Sequence, residues 1–455
     1  MKLVMKFGGS SLADAARMRG CAALVKARAG DRVAVVVSAL DGVTEELIAL
    51  AEAAALSGGA VMKSRLAALR LRHAEAAETL GARAPVAELL DQLERLAFGI
   101  AAVGELTPRS RDAVLSFGER FSAALFERAL ALEGVPARAF TGAEAGLVTD
   151  EAFGDAEPLI ELSLYQAAAT LGPVLATGDV PVVTGFIAAT QHGAITTLGR
   201  GGSDYTATLI GAALKVEEIW IWSDVDGLMS ADPKIVPGAR RLERISFAEA
   251  VEMGQFGAKS MHPRALEPAA ERGIPVRMKN TFAPEGSGTL ICADAGAGGE
   301  VARSIHLVAD AALITVTGAA MIGHAGTAAR LFQALGERGI NIRMISQSVS
   351  EAGISLAVAG RQIERARAAI EAALLRTGAA RGVEVVEDAA IVAVVGLGMH
   401  GTPGVAARVF TAIARRGINV IAIAQGSSEL SISFVVAREA APEAVRALHE
   451  EFLPG

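Results

Sequence analysis

LGRGGSDYTATLIGAAL, Leu198 to Leu214, reads as a tight glycine turn feeding a helix. Gly199, Gly201 and Gly202 permit positive φ and close approach of a ligand, and Ser203 or Asp204 is placed to cap the helix. A glycine loop opening a helix is an anion site, because unpaired amides and the helix dipole point the same way. Arg200 adds a guanidinium fork suited to a carboxylate or phosphate.

A second glycine loop lies at the start of the chain. Leu3 to Phe7 is a short apolar run, Gly8 and Gly9 stop it, and a helical pattern runs from Leu12 to about Arg28. KFGGSS (Lys6 to Ser11) thus sets a lysine at a strand end beside a glycine turn. The order is not that of a Walker A loop, yet backbone donors plus one cation are what phosphoryl transfer needs. Val33 to Val37 is a β-branched run expected of a strand buried on both faces, and a helix follows from about Thr44. Strand and helix alternation indicates α/β with a parallel sheet.

From about Ala60 to Glu133 the apolar spacing is helical, broken at Gly104 and near Pro108. Gly118, inside SFGER (Ser116 to Arg120), costs helix stability, so a substrate or another backbone is expected to come close there. Strands return at Pro181 to Phe186 and Glu218 to Trp222, the second followed by the polar loop SDVDGLMSADPK. Helices are expected over Ser246 to Gly254 and Lys259 to Arg272, and a strand at Val276 to Lys279 closes this domain.

Beyond a small-residue linker at Ala293 to Gly296 lies an internal repeat. The stretch from Val316 to Ser355 matches Val394 to Ser433 without a gap, pairing Asn341 with Asn419 and Gln347 with Gln425. Each copy reads strand, Gly-containing loop, helix, Gly-Ile-Asn turn, strand, polar turn, strand. Two copies are too few for a solenoid, so paired small α/β modules fit better.

Bulk properties narrow the function. The chain has 455 residues, 52% hydrophobic and 20% charged, so it has material for several cores and no case for disorder. A formal net charge of −7 argues against nucleic acid or an anionic membrane as partner. Two cysteines, Cys21 and Cys292, fit a reducing cytoplasm, and neither a signal peptide nor a membrane span is read.

Together KFGGSS, VSALDGVT, LSFGERFSA, GFIAA, TLGRGGSDYTA, SDVDGLMSADPK and FGAKSMHPRAL resemble the aspartate kinases of the amino acid kinase family, and the repeat resembles their paired ACT modules. The resemblance implies a three-layer α/β/α sandwich over residues 1–295 and ferredoxin-like ACT modules over 305–385 and 386–455, with a strand near 300–310 as a candidate to complete the second. It implies transfer of the γ-phosphoryl of ATP, bound with Mg²⁺, to L-aspartate. It places Lys6, Asp204 and Lys259 in catalysis. Ser38, Thr44, Glu119 and Arg200 would hold aspartate, although an ion pair with Arg120 is the alternative for Glu119. Lys6, Gly8, Gly9, Ser10, Ser223, Asp224, Met229, Lys234, Lys259 and Ser260 would hold the nucleotide.

No protein metal site is implied, and no general base is needed because the attacking carboxylate is ionised at neutral pH. Glu45, Met229 and Lys234 depart from residues common in the family, and His262 reads as a packing or capping residue. In the repeat, Met321, Gly326, Thr327, Asn341, Gln347, Asn419 and Gln425 match an amino-acid effector site. Ala352 and Gly353 replace the bulkier Leu430 and Ser431, marking the first copy as the divergent one. Arg343, where lysine-sensing relatives often carry an acid, favours threonine over lysine as effector. A homodimer or larger is expected, in a monofunctional form. The rivals are kinases of the same family acting on glutamate, N-acetylglutamate, carbamate or UMP, and an amino-acid-binding regulator with an inactive kinase domain.

Overall fold

The computed structural model describes residues 1–56, 59–257, 261–296, 300–318, 326–348 and 353–454. The chain packs as two units. The first comprises Met1–Leu228, Glu243–Val251 and Lys259–Ala295; the second comprises Met229–Leu242, Glu252–Ala258 and Gly296–Gly455. The segments 229–242 and 252–258 therefore depart from the continuous catalytic domain expected over 1–295.

The first unit is built on an eight-stranded sheet. Its strands run across the sheet as Ala137–Phe140, Val180–Thr184, Arg32–Val37, Lys2–Phe7, Glu218–Ser223, Val276–Asn280, Thr289–Cys292 and Arg244–Ser246. The first six are parallel to their neighbours; Thr289–Cys292 pairs antiparallel with Val276–Met278. The sheet therefore continues past the strand expected to close it, because the APEGSGT loop returns the chain as a hairpin. Ser246, expected to begin a helix, instead ends the strand Arg244–Ser246, which pairs with Leu290–Cys292, and the helix starts at Phe247.

Side chains of a strand alternate faces. Leu3, Met5 and Phe7 enter a core with helices Ala15–Lys26 and Phe117–Leu132. Lys6 faces the other layer, where the helix Gly202–Leu214 lies. That alternation aims a lysine at the start of the decisive helix. Each fully buried Val or Leu of these strands contributes about 1.5–3 kcal/mol relative to exposure.

The long helical region resolves into Ala60–Leu80, Arg83–Val103, Pro108–Leu115 and Phe117–Leu132, so it also breaks at Gly81. A three-stranded sheet of Val148–Thr149, Ile187–Thr190 and Ile195–Thr197 was not foreseen; its strands are two to four residues long.

The second unit holds a six-stranded antiparallel sheet around two 14-residue strands, Ser304–Thr317 and Gly382–Val395. Each strand serves both repeat copies. Thr317 to Leu313 pairs with Gly382 to Val386, whereas Ser304 to Val308 pairs with Val395 to Ile391 after register shifts between. Helices Thr327–Gly336 and Ile363–Ile370 cover a core with Ile314, Leu331 and Leu356. Helices Val405–Arg415 and Ala441–Phe452 cover the counterpart with Val392, Val409 and Phe434. Among the described residues no helix is long and apolar enough to cross a membrane.

Candidate active site

A cleft of about 730 Å³ opens in the first unit, lined by Lys6, Gly9, Ser38, Thr44, Glu119, Arg200 and Asp204 among others. It lies where strands Lys2–Phe7 and Arg32–Val37 run out into loops, the usual ligand position in parallel α/β sheets. The turn after the first strand is held by Gly8, whose amide donates to Trp222 O at 3.1 Å. Gly8 therefore has no free donor, against expectation, while the amides of Gly9 and Ser10 have no partner among the described residues.

Lys6 is 9% exposed, and its Nζ lies 2.6 Å from Asp204 Oδ1. Asp204 Oδ1 has no hydrogen bond beyond this ion pair. The expected side-chain cap is absent: Gly201 is the N-cap, in the left-handed region at φ 73, and no side chain caps the helix. A side chain at Gly201 would also run into His262 Cβ, at 2.6 Å from an added Cβ. Asp204, freed from capping, pairs with Lys6 instead. The amides of Ser203 and Asp204 have no partner among the described residues, so the helix presents donors to the cleft. Arg200 is exposed and has no carboxylate partner among the described residues.

Glu119 is 3% exposed. Its Oε1 accepts from the Ala39 amide at 3.1 Å, and its Oε2 has no hydrogen-bond partner among the described residues. Burial pushes this carboxyl up to about 8, against the Ala39 hydrogen bond and the Lys6 charge, which pull it down. An ion pair with Arg120 does not form: Arg120 donates to Gln92 Oε1 at 2.7 Å and stacks on Phe117. The close approach expected at Gly118 is made by Ala39, whose Cβ would lie 2.8 Å from an added Cβ.

Ser38 and Thr44 line the same cleft. Ser223 ends its strand in the same unit and Asp224 follows it. Met229 and Lys234 fall in the second unit, where neighbouring Ala231 and Val236 are buried in the core of the second repeat copy. Lys259, Ser260 and Met321 lie outside the described residues. In the repeat, Asn341, Gln347, Asn419 and Gln425 are exposed, and Gly326 is the N-cap of a helix beginning at Thr327. Arg343 lies 3.8 Å from the Asp310 carboxylate, so its charge is met within the unit.

Sequence reasoning missed Asp112 and Phe186, both of which line the cleft. Asp112 lies seven residues before Glu119, in the preceding helix, the only local signal available. Phe186 carries a positive φ of 65 within GFIAA, which no pattern of residue types announces.

A Gly-Gly turn, a buried lysine at the C-terminal end of a parallel strand, and a second glycine loop opening a helix define an amino acid kinase. The model of the amino acid kinase family matches residues 1–280, and an ACT domain model matches 314–374 and 392–452. Aspartokinase 2, chloroplastic, of Arabidopsis thaliana is 35% identical, over 99% of this chain and 84% of its own. The crystal structure of E. coli aspartokinase III in complex with aspartate and ADP (R-state) is similar at a TM-score of 0.84 and 32% identity, over 99% of both chains. The same enzyme in complex with lysine and aspartate (T-state) gives a TM-score of 0.83 at 32% identity, again over 99% of both chains. The chain belongs to the aspartokinases.

Proposed function

We propose that this enzyme transfers the γ-phosphoryl of ATP to the β-carboxylate of L-aspartate, giving 4-phospho-L-aspartate and ADP. The observation that carries the reading is one cleft uniting buried Lys6, unpartnered Arg200 and a Glu119 oxygen without a hydrogen bond. These groups complement a phosphoryl group, an α-carboxylate and an α-ammonium respectively. Arg200 holds the α-carboxylate, for which a guanidinium fork is the matching chemistry. Glu119 receives the ammonium, and Ser38 and Thr44 lie against the side-chain carboxylate.

The β-carboxylate is already ionised at neutral pH. One of its oxygens forms the new P–O bond as the bond from the γ-phosphorus to the bridging oxygen breaks, and that electron pair leaves on ADP. Lys6, held by Asp204, offsets charge on the group in transfer, and the free amides of Gly9, Ser10, Ser203 and Asp204 add fixed donors. Mg²⁺ bound with the nucleotide would add further charge neutralisation there. Ser223, Asp224, Lys259 and Ser260 are proposed for the nucleotide side. A coupled ADP-release assay with L-aspartate, L-glutamate, N-acetylglutamate, carbamate and UMP tests the reading: turnover should depend on aspartate, and equal or faster turnover with another acceptor would overturn it.

The repeat is proposed to regulate this reaction by binding an amino acid and to join chains into a homodimer or larger. An effector acts only through differential affinity for two arrangements. Threonine is favoured over lysine because a cation at Arg343 repels a lysine side chain; the Asp310 carboxylate 3.8 Å away offsets only part of that charge, since Arg361 lies 3.5 Å from the same carboxylate. Titration with threonine and lysine, singly and together, decides between them. Indifference to both would leave the modules as an assembly device.

A further inference from the structure

Asp112 is a carboxylate with 0% exposure, and it makes no ion pair among the described residues. Instead it accepts three hydrogen bonds, one from the loop at Gly154 and two from Thr197 at the end of its strand. Its Oδ2 takes the Gly154 amide at 2.9 Å and the Thr197 amide at 3.0 Å; its Oδ1 takes the Thr197 hydroxyl at 2.9 Å. Thr197 is gripped from the other side too, since its carbonyl accepts from the Ala156 amide at 2.9 Å. That neighbouring loop is pinned by Arg264, which donates to Asp155 Oδ1 at 3.0 Å and to Ala156 O at 2.9 Å.

Two residues beyond Thr197 the glycine loop begins, and Arg200 sits in it with no side-chain partner among the described residues. Downstream, the helix from Gly202 is seated by its own buried face. Upstream, the backbone is anchored through Leu198, whose amide donates to Phe186 O at 2.9 Å, and through Thr197. A carboxylate suits the anchor because it offers only acceptors to three donors.

We infer that Asp112 is a positioning residue for the acceptor amino acid: through Thr197 and Gly154 it fixes the loop that aims Arg200 into the cleft. This rests on the reading of Arg200 as the α-carboxylate partner. Because Lys6 and Asp204 are held by strand and helix, Asp112 acts on acceptor binding and leaves nucleotide binding alone. A role confined to stability would lower the melting temperature without separating the two substrates.

The test compares D112A, D112N and T197V in the full chain. It measures KM for aspartate and for ATP, kcat, melting temperature and amide hydrogen exchange over 197–202. D112A should raise the aspartate KM by about 10- to 100-fold, the scale of a misplaced orienting group, with the ATP KM within about twofold. The loop amides should exchange faster. D112N keeps the geometry, since Oδ1 can accept both amides while Nδ2 donates to Thr197 Oγ1, and should restore the aspartate KM to within about threefold of wild type. T197V, lacking one of the three bonds, should fall between them, and with D112N it decides the matter if D112A does not fold. An unchanged aspartate KM, losses shared equally by both substrates, or unchanged loop exchange would overturn the inference. A wild type that does not use aspartate would overturn the acceptor reading instead, and loop exchange in the variants would still decide the positioning.

Discussion

On the proposed role of Glu119 as partner of the substrate ammonium, aspartate binding should be a proton-linked event. The free carboxyl is buried, has one oxygen without a hydrogen bond, and is pushed by desolvation up to about 8 from an ordinary 4.5. The sign follows from that direction. The folded state holds this proton more tightly than the unfolded chain, so the contribution to stability is complete below the ordinary value and is lost as pH rises through the folded one. Ionising the group in place costs about 5 kcal/mol relative to the unfolded chain. A substrate ammonium at Oε2 reverses the balance, because an opposite charge at contact favours the ionised form. Near pH 7 about 0.9 of the carboxyls are protonated, so aspartate binding should release about 0.9 proton, falling to about 0.5 near pH 8. The aspartate KM should fall about tenfold between pH 7 and pH 9 for the same reason. Titration calorimetry in phosphate and in Tris, which differ in ionisation enthalpy, reads the proton directly. E119Q should bind aspartate more weakly and show no buffer dependence. A binding enthalpy identical in the two buffers for the wild-type protein would refute the reasoning.

Three substitutions probe the rest of the cleft. K6A should lower kcat by about two to three orders of magnitude, the scale of one preorganised charge, with little change in KM; steady-state kinetics at saturating substrates checks it. R200K should raise the aspartate KM while the ATP KM barely moves, since an ammonium cannot reproduce the bidentate fork; an effect confined to ATP would place Arg200 on the nucleotide side. G118A puts a methyl 2.8 Å from Ala39 Cβ, which should cost about 1–3 kcal/mol in urea unfolding and shift the amide that holds Glu119, raising the aspartate KM.

What was legible in the sequence was local. Lys6 at a strand end, the two glycine loops and Arg200 could be read because each motif carries its own geometry within a few residues. Gly118 was legible as an anomaly, though whether a ligand or a neighbour would fill the space required the fold. Burial was not legible. Glu119 beside Arg120 reads equally as a surface ion pair, and only the contact with Ala39, 80 residues away, makes it a buried carboxyl. Asp112 meets Thr197 across 85 residues, a separation no pattern reports. The repeat announced two modules by its constant offset, yet the sharing of Ser304–Thr317 between them follows from strand length and register. Arg343 lies on the strand read for it, while its neighbour Asp310 sits on a different strand, a contact that sequence spacing does not report.

The central claim is that a carboxyl oxygen of the aspartate side chain attacks the γ-phosphorus. Its product is an acyl phosphate, which hydroxylamine intercepts as a hydroxamate at the carbon that was activated. The purified protein should be incubated with MgATP, L-aspartate and hydroxylamine, and the hydroxamate identified by mass spectrometry and compared in amount with ADP. The account predicts the β-hydroxamate of aspartate, equimolar with ADP and absent without aspartate; an α-hydroxamate, an equal yield from L-glutamate, or ADP without any hydroxamate would contradict it.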